Sequence, residues 1–216
     1  MSSTISNKEA ITQTAETQSN ITPNSALTLL KEGNTRFTSS QPAARNFSAQ
    51  VEQTATGQYP FAAIVSCIDS RIPTEIVFDQ GIGDIFNARI AGNFVNADIL
   101  GSLEFACKLA GSKVIVVMGH TSCGAVKGAC DHAKLGNLTQ MLDKIMPAVN
   151  AIKTEEGTDR SSKNLEFVNE VASKNVEMTI DNIKSQSSVL NEMFEGGEID
   201  IVGAMYDVKT GKVSFS

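Results

Sequence analysis

No stretch of this chain approaches the roughly 20 apolar residues that span a bilayer, which excludes a helical membrane anchor within it. Positive charge is scarce as well. Eighteen Lys and Arg against 24 Asp and Glu leave a net charge of −6. A sequence-independent nucleic-acid binder needs a basic surface, so that class is excluded too. Cysteine is sparse, and four in 216 residues make no disulfide framework in a chain this long. There are only two histidines, His120 and His132. Gly81-x-Gly83 lacks the third glycine of a dinucleotide fingerprint and precedes a strand, so it reads as a turn. Gly119 and Gly124 make no phosphate loop, and no Gly-x-Ser-x-Gly elbow is present. What is left is a protein with a small-molecule role. Its 41% hydrophobic and 19% charged residues suit one globular domain with a sizeable core.

Along the chain, residues 1–22 are polar, with one Lys, no Arg and no apolar h-region. They resemble neither a secretory signal nor a transit peptide and read as a flexible polar tail. The expected location is cytoplasmic, or periplasmic for a mature form whose signal was removed. Residues 23–216 read as a single α/β domain. Thr22-Pro23-Asn24-Ser25 starts an amphipathic helix that Gly33-Asn34 weakens or ends. The polar stretch 39–59 follows as an extended arm or short helices. Together these make a long N-terminal arm with one apolar stripe, which finds little to pack on in a small domain and is expected to lie on a neighbouring subunit.

The core alternates strands and helices. Strands are expected over 61–68, 84–90, 113–118 and 199–206, with a short edge strand over 212–215. Helices are expected over 73–78, 98–110, 122–134, 138–153, about 162–184 and 186–194. This alternation implies a mostly parallel four-stranded sheet plus a C-terminal edge strand, helices on both faces and an N-terminal helical arm. Sheets of that kind place ligands at the carboxyl ends of their strands.

Two such ends carry chemistry. The apolar run Phe61-Ala62-Ala63-Ile64-Val65 closes on Ser66-Cys67-Ile68-Asp69-Ser70-Arg71. In extended backbone, i, i+2 and i+4 share a face, so Cys67, Asp69 and Arg71 leave on one side. The run Lys113–Met118 leads to Gly119-His120-Thr121-Ser122-Cys123-Gly124, where the pair His120-x-x-Cys123 spans a strand-to-helix turn. Two sulfurs and one imidazole suit zinc with a fourth position open, the arrangement of catalytic sites. A structural zinc, or none, is the other reading, but no paired Cys knuckles are present. The Asp69–Arg71 pair on the face of Cys67 favours chemistry, since an ion pair beside a purely structural metal is a costly burial. Cys107 and Cys130 read as packing residues, and His132 as a solvated helix residue.

Cys67-x-Asp69-x-Arg71 followed by His120-x-x-Cys123-Gly124 resembles the β-class carbonic anhydrases. The resemblance runs through Ala88-Arg89-Ile90-Ala91-Gly92-Asn93 and covers about residues 23 to 207, including Gly33-Asn34-x-Arg36-Phe37. It implies reversible hydration of CO2 to bicarbonate and a proton, through zinc-bound hydroxide oriented by the Asp69–Arg71 dyad. It assigns zinc to Cys67, His120 and Cys123, with Asp69 as a fourth ligand in a closed state. It places Gln58, eleven residues before Asp69, as the substrate-orienting amide, and Phe86 as an aromatic wall of the pocket. Ile90 and Ala91 are plausible apolar walls for CO2, and Gly124 keeps the site small. Phe105 stands where many relatives carry Tyr. The inhibitory bicarbonate pocket of some relatives uses a Trp, and this chain has none. The resemblance also implies a homodimer or homotetramer with the site at the subunit boundary, where Gln58 serves a neighbour's zinc. Rival readings are a COS or CS2 hydrolase on the same scaffold and a non-catalytic zinc-stabilised binding module. The latter predicts a zinc closed permanently by Asp69.

Overall fold

A computed structural model describes residues 12–216. The chain runs through the helices α1 (Ala15–Ser19), α2 (Pro23–Thr38) and α3 (Phe47–Thr54), then β1 (Ala62–Ser66), α4 (Thr74–Val77) and β2 (Ile85–Arg89). The helix α5 (Ala97–Glu104) continues into one π-helical segment, Phe105–Leu109. Next come β3 (Val114–His120), α6 (Gly124–Cys130), α7 (Gly136–Leu142), α8 (Met146–Ala151), α9 (Leu165–Gln186), α10 (Ser188–Glu195), β4 (Asp200–Tyr206) and β5 (Val213–Phe215). The sheet order is β2-β1-β3-β4-β5. The first four strands are parallel and β5 pairs antiparallel with β4.

Strand alternation builds two cores. Ala62 and Ile64 of β1 and Val114, Val116 and Met118 of β3 face α2 and α4. Ala63 and Val65 of β1, with Ile115 and Val117 of β3, face α5 and the helices after it. Both strands are fully buried, which is why they read as unbroken apolar runs. A third cluster joins Cys67 and Cys123 to α6, α8 and α9 beyond the carboxyl ends of the strands.

Four details differ from the sequence expectation. The α2 helix does not end at Gly33-Asn34 but runs on to Thr38. A Cβ on Gly33 would lie 1.8 Å from the Phe78 carbonyl oxygen, so this glycine marks close approach to the α4 segment, not a stop. Asn34 is buried and tied by its amide to the Val77 and Gly211 carbonyls and by its oxygen to the Val213 N–H. The apolar stripe of α2 therefore packs on its own sheet through Ala26 and Leu30, both fully buried, and not on a neighbour. Burying Leu30 alone stabilises by about 2 kcal/mol.

The expected flexible tail over 1–22 is also corrected, for the part from Thr12 onward; residues 1–11 lie outside the described residues. Thr14 caps α1, and the Gln18 amide donates to the Pro60 and Ala110 carbonyls at 2.8 Å each. Polar side chains dock this segment, so hydrophobic periodicity gives no sign of it. Finally, the single helix expected over 138–153 is two. Pro147 in the first turn of α8 supplies no N–H for a continuous helix to use.

Candidate metal centre

The parallel register sets Ser66 of β1 opposite Met118 of β3, so Cys67 emerges beside the end of a strand that continues two residues further to His120. Ser122 then takes a left-handed turn at φ 55°, its N–H donating to Asn169 Oδ1 of α9 at 2.9 Å. That reversal brings Cys123 back to the start of α6. The result is a buried trio, in which the ligand atoms of Cys67, His120 and Cys123 all lie within 4.8 Å of one another.

The donor set fits a tetrahedral metal. The two sulfurs are 3.9 Å apart. Two bonds of about 2.3 Å at the tetrahedral angle need about 3.8 Å. His120 is completely buried, and its Nδ1 lies 3.0 Å from the Thr121 carbonyl oxygen. With the Nδ1 proton donated there, the Nε2 lone pair faces the sulfurs, and Nε2 has no hydrogen-bond partner. Burying an unpaired ring nitrogen is costly, and a metal would supply the missing partner. The sulfurs are electrostatically linked. The Cys123 thiol, donating to Cys67, holds Cys67 down to about 4 despite burial, with help from His120 and from the Gly92 N–H. The same contact, together with burial, drives Cys123 upward. A shared cation would displace the thiol protons.

Asp69 stands over this trio, Oδ2 being 3.9 Å from His120 Nε2. Arg71 grips it as a fork, Nε to Oδ1 at 2.9 Å and Nη2 to Oδ2 at 2.7 Å, and the Arg71 N–H adds a third bond at 3.0 Å. That fork holds the carboxyl well below the usual carboxylate range. Arg89 at the end of β2 donates to the carbonyls of Cys67, at 2.9 Å, and Asp69, at 2.7 Å, so it braces the segment that carries ligand and carboxylate.

The remaining expected residues are placed less uniformly. Ile90 and Ala91 are half-buried after β2, leading to Gly92, whose N–H approaches Cys67 Sγ at 3.5 Å. Gly124 is exposed, and a Cβ there would meet nothing within 4 Å. Phe86 lines a cavity of about 430 Å3 with Ala63, Ala88, Leu103 and Phe105, and packs edge-on against Phe105 with ring centres 6.1 Å apart. Gln58 is exposed at the amino end of β1. Five strand residues, roughly 16 Å, separate that end from Cys67. A single chain therefore does not bring Gln58 to the trio. Cys107 and Cys130 are buried in the apolar clusters, and burial pushes their thiols up to about 12 and about 11. His132 is exposed just past α6 at φ 51°.

Sequence reasoning did not single out Arg89, Asn169 or Asn175. The first lies inside the stretch that carries the resemblance. The two asparagines leave no signal beyond an amide within the pattern of α9. Gly92 offers a direct test of how tightly the ligand turn is built. Its φ is +84°, and a Cβ would lie 2.4 Å from Ile145 Cδ1, which is fully buried. Gly92→Ala is expected to cost about 3 kcal/mol from overpacking and left-handed strain, read as a lowered urea midpoint. An unchanged midpoint would mean that the turn relaxes freely.

The family model for carbonic anhydrase matches residues 62–213. Carbonic anhydrase 2 of Mycobacterium tuberculosis is 35% identical over 199 residues, spanning 89% of this chain and 92% of that protein. Among solved structures, the β-carbonic anhydrase CafA of Aspergillus fumigatus is 25% identical and superposes with a TM-score of 0.67 over 89% of each chain. One of two tetrameric β-carbonic anhydrases from Sordaria macrospora shares the fold with a TM-score of 0.65 at 23% identity, over 78% of this chain and 89% of that one.

Proposed function

The chain belongs to the carbonic anhydrase family, in its β class, and from that premise we propose that it hydrates carbon dioxide reversibly to bicarbonate and a proton, with zinc held by Cys67, His120 and Cys123. One observation carries the reading: the buried, partnerless Nε2 of His120 faces two sulfurs at ligand spacing, with an ionised carboxylate alongside. Zinc supplies a Lewis acid that activates water as a nucleophile near neutral pH.

The chain's own residues direct that water. An ionised carboxylate can only accept hydrogen bonds. Asp69 therefore accepts from the attacking water and turns an oxygen lone pair toward the carbon of CO2. Arg71 keeps Asp69 ionised and occupied, away from the metal position; with the fork broken, Asp69 would be free to bind the metal itself and close the site. CO2 is uncharged, and half-buried Ile90 and Ala91 suit it as walls. The bare Gly124 leaves space beside Cys123. The product proton passes to buffer.

The reading extends to a homodimer or homotetramer. Ile68, inside the metal motif itself, is 62% exposed, and Ile76 and Phe47 are 59% and 57% exposed. Apolar surface of that kind is covered well by a second copy of the chain. In that assembly Gln58 serves the partner's site and orients its CO2, and Phe86 becomes a wall of the same pocket.

The test is zinc stoichiometry and stopped-flow CO2 hydration on one preparation. One zinc per chain with rapid hydration is expected. A preparation that holds zinc but hydrates no CO2 would favour a purely structural metal. The pH profile adds a sign. Two thiolates offset the metal's double charge and weaken its activation of water, so the rate should climb on the alkaline side of neutrality. Asp69 cannot cause that climb, because Arg71 depresses its pKa and keeps it ionised throughout. A flat rate from about pH 6 to about pH 9 would count against the thiolate argument.

A further inference from the structure

Helix α9 buries mostly apolar residues, among them Val168, Val171, Ala172 and Val176, yet Asn175 is only 3% exposed within this face. A buried amide costs stability unless it is hydrogen-bonded. Asn175 Nδ2 donates to the Gly92 carbonyl at 2.7 Å, across 83 residues of sequence. The far side of Gly92 carries the contact that matters, its N–H to Cys67 Sγ. Gly92 and Asn93 are both left-handed, with φ 84° and 43°. A turn of that kind has no ladder to hold it, and the Asn93 N–H to Ile90 carbonyl bond closes it only from within. The Asn175 amide ties it to α9 instead.

We infer that Asn175 is a positioning residue of the metal centre: through the Gly92 carbonyl it fixes the peptide N–H that Cys67 Sγ accepts. The inference rests on the metal reading above. An N–H···S bond draws charge from a thiolate and orients its lone pairs, so losing the tether changes how Cys67 binds a metal, not only how tightly the helix packs. Groups of this kind around a metal typically alter affinity by about 10- to 100-fold.

The experiment compares zinc-loaded wild type, Asn175→Ala, Asn175→Leu and Asn34→Ala in competition with a chromophoric chelator, with thermal melting on the same samples. Asn34 is the control, an equally buried asparagine tied to carbonyls away from the ligands. The Asn175 variants are expected to yield zinc at least about tenfold more readily, and their cobalt-substituted forms to show a shifted sulfur-to-metal charge-transfer band. Asn34→Ala is expected to melt lower with zinc affinity and band unchanged. Asn175 variants that hold zinc like wild type, with the same band, overturn the inference, as does an Asn34→Ala that loosens zinc equally. If the Asn175 variants fail to fold, wild type loaded with spin-active cadmium decides. A through-bond coupling between metal and Gly92 amide proton supports the inference, and its absence overturns it. A wild type that takes up no zinc at all overturns the metal reading as well, whereas the other failures leave that reading standing.

Discussion

Replacing Asp69 with Asn is expected to leave one zinc per chain and to lower kcat for CO2 hydration by about 10²- to 10³-fold, the loss typical of removing one aimed polar group from a reacting centre. The two side chains have nearly the same shape, so packing is not at issue. What changes is the direction of the hydrogen bonds. The amide nitrogen donates where the carboxylate oxygen accepts. Both carboxylate oxygens accept from Arg71, at 2.9 and 2.7 Å, so in either orientation the new amide turns a donor toward a group that has only donors to offer and forfeits half of the fork. With its nitrogen at the oxygen nearer His120, it also turns a donor toward the attacking water and no longer directs that water's lone pair. Either way the chemistry suffers, while Cys67, His120 and Cys123 are untouched. Metal analysis beside stopped-flow rates separates the outcomes. Zinc lost together with activity would make Asp69 a ligand, and full activity would remove it from the reaction.

The variant works as a test because ligands and carboxylate come from different kinds of sequence signal. The candidate ligand trio is legible because thiol and imidazole are rare in this chain, and two of the three stand where buried apolar runs stop. β1 and β3 are parallel neighbours in the sheet, so stopping points far apart in sequence become adjacent in space. The dyad was legible from spacing alone: Asp69 and Arg71 are two apart and do meet, although the strand ends at Ser66 and the pair forms in the turn beyond it.

Other features had no local signature. Gly33 looks like a helix stop from its neighbours in sequence, because the Phe78 carbonyl that requires it lies 45 positions on. Docking of the segment from Thr12 through Gln18 depends on amide-to-carbonyl bonds that no hydrophobic pattern reports. Asn169 and Asn175 read as ordinary helix residues; what distinguishes them is the carbonyl or N–H on the other side of the contact. The parts that remained hidden are those in which a polar side chain meets backbone distant in sequence. Alternation and rare residues reveal strands and ligands, whereas a single amide does neither.

Cys123→Ser should show the largest effect of all: zinc lost and CO2 hydration reduced by at least about 10³-fold, toward the uncatalysed rate. A serine hydroxyl does not ionise near neutral pH and is a poor ligand for a borderline-soft cation, so the trio becomes a pair. Stability supplies an independent readout. A metal that binds the folded chain and not the unfolded one raises the melting temperature by mass action. A strong chelator should therefore lower the wild-type Tm toward that of Cys123→Ser and leave the variant's own Tm almost unmoved. The comparison with Cys130→Ser makes the test specific. Cys130 is buried in the same apolar cluster at 6% exposure, at the far end of α6, and outside the candidate ligand trio. Its replacement should cost about 1 kcal/mol of packing while zinc, activity and the chelator-induced drop in Tm all persist. If the chelator shifts Cys123→Ser as far as wild type, Cys123 does not hold the metal, and the sulfur spacing of 3.9 Å is a packing contact only.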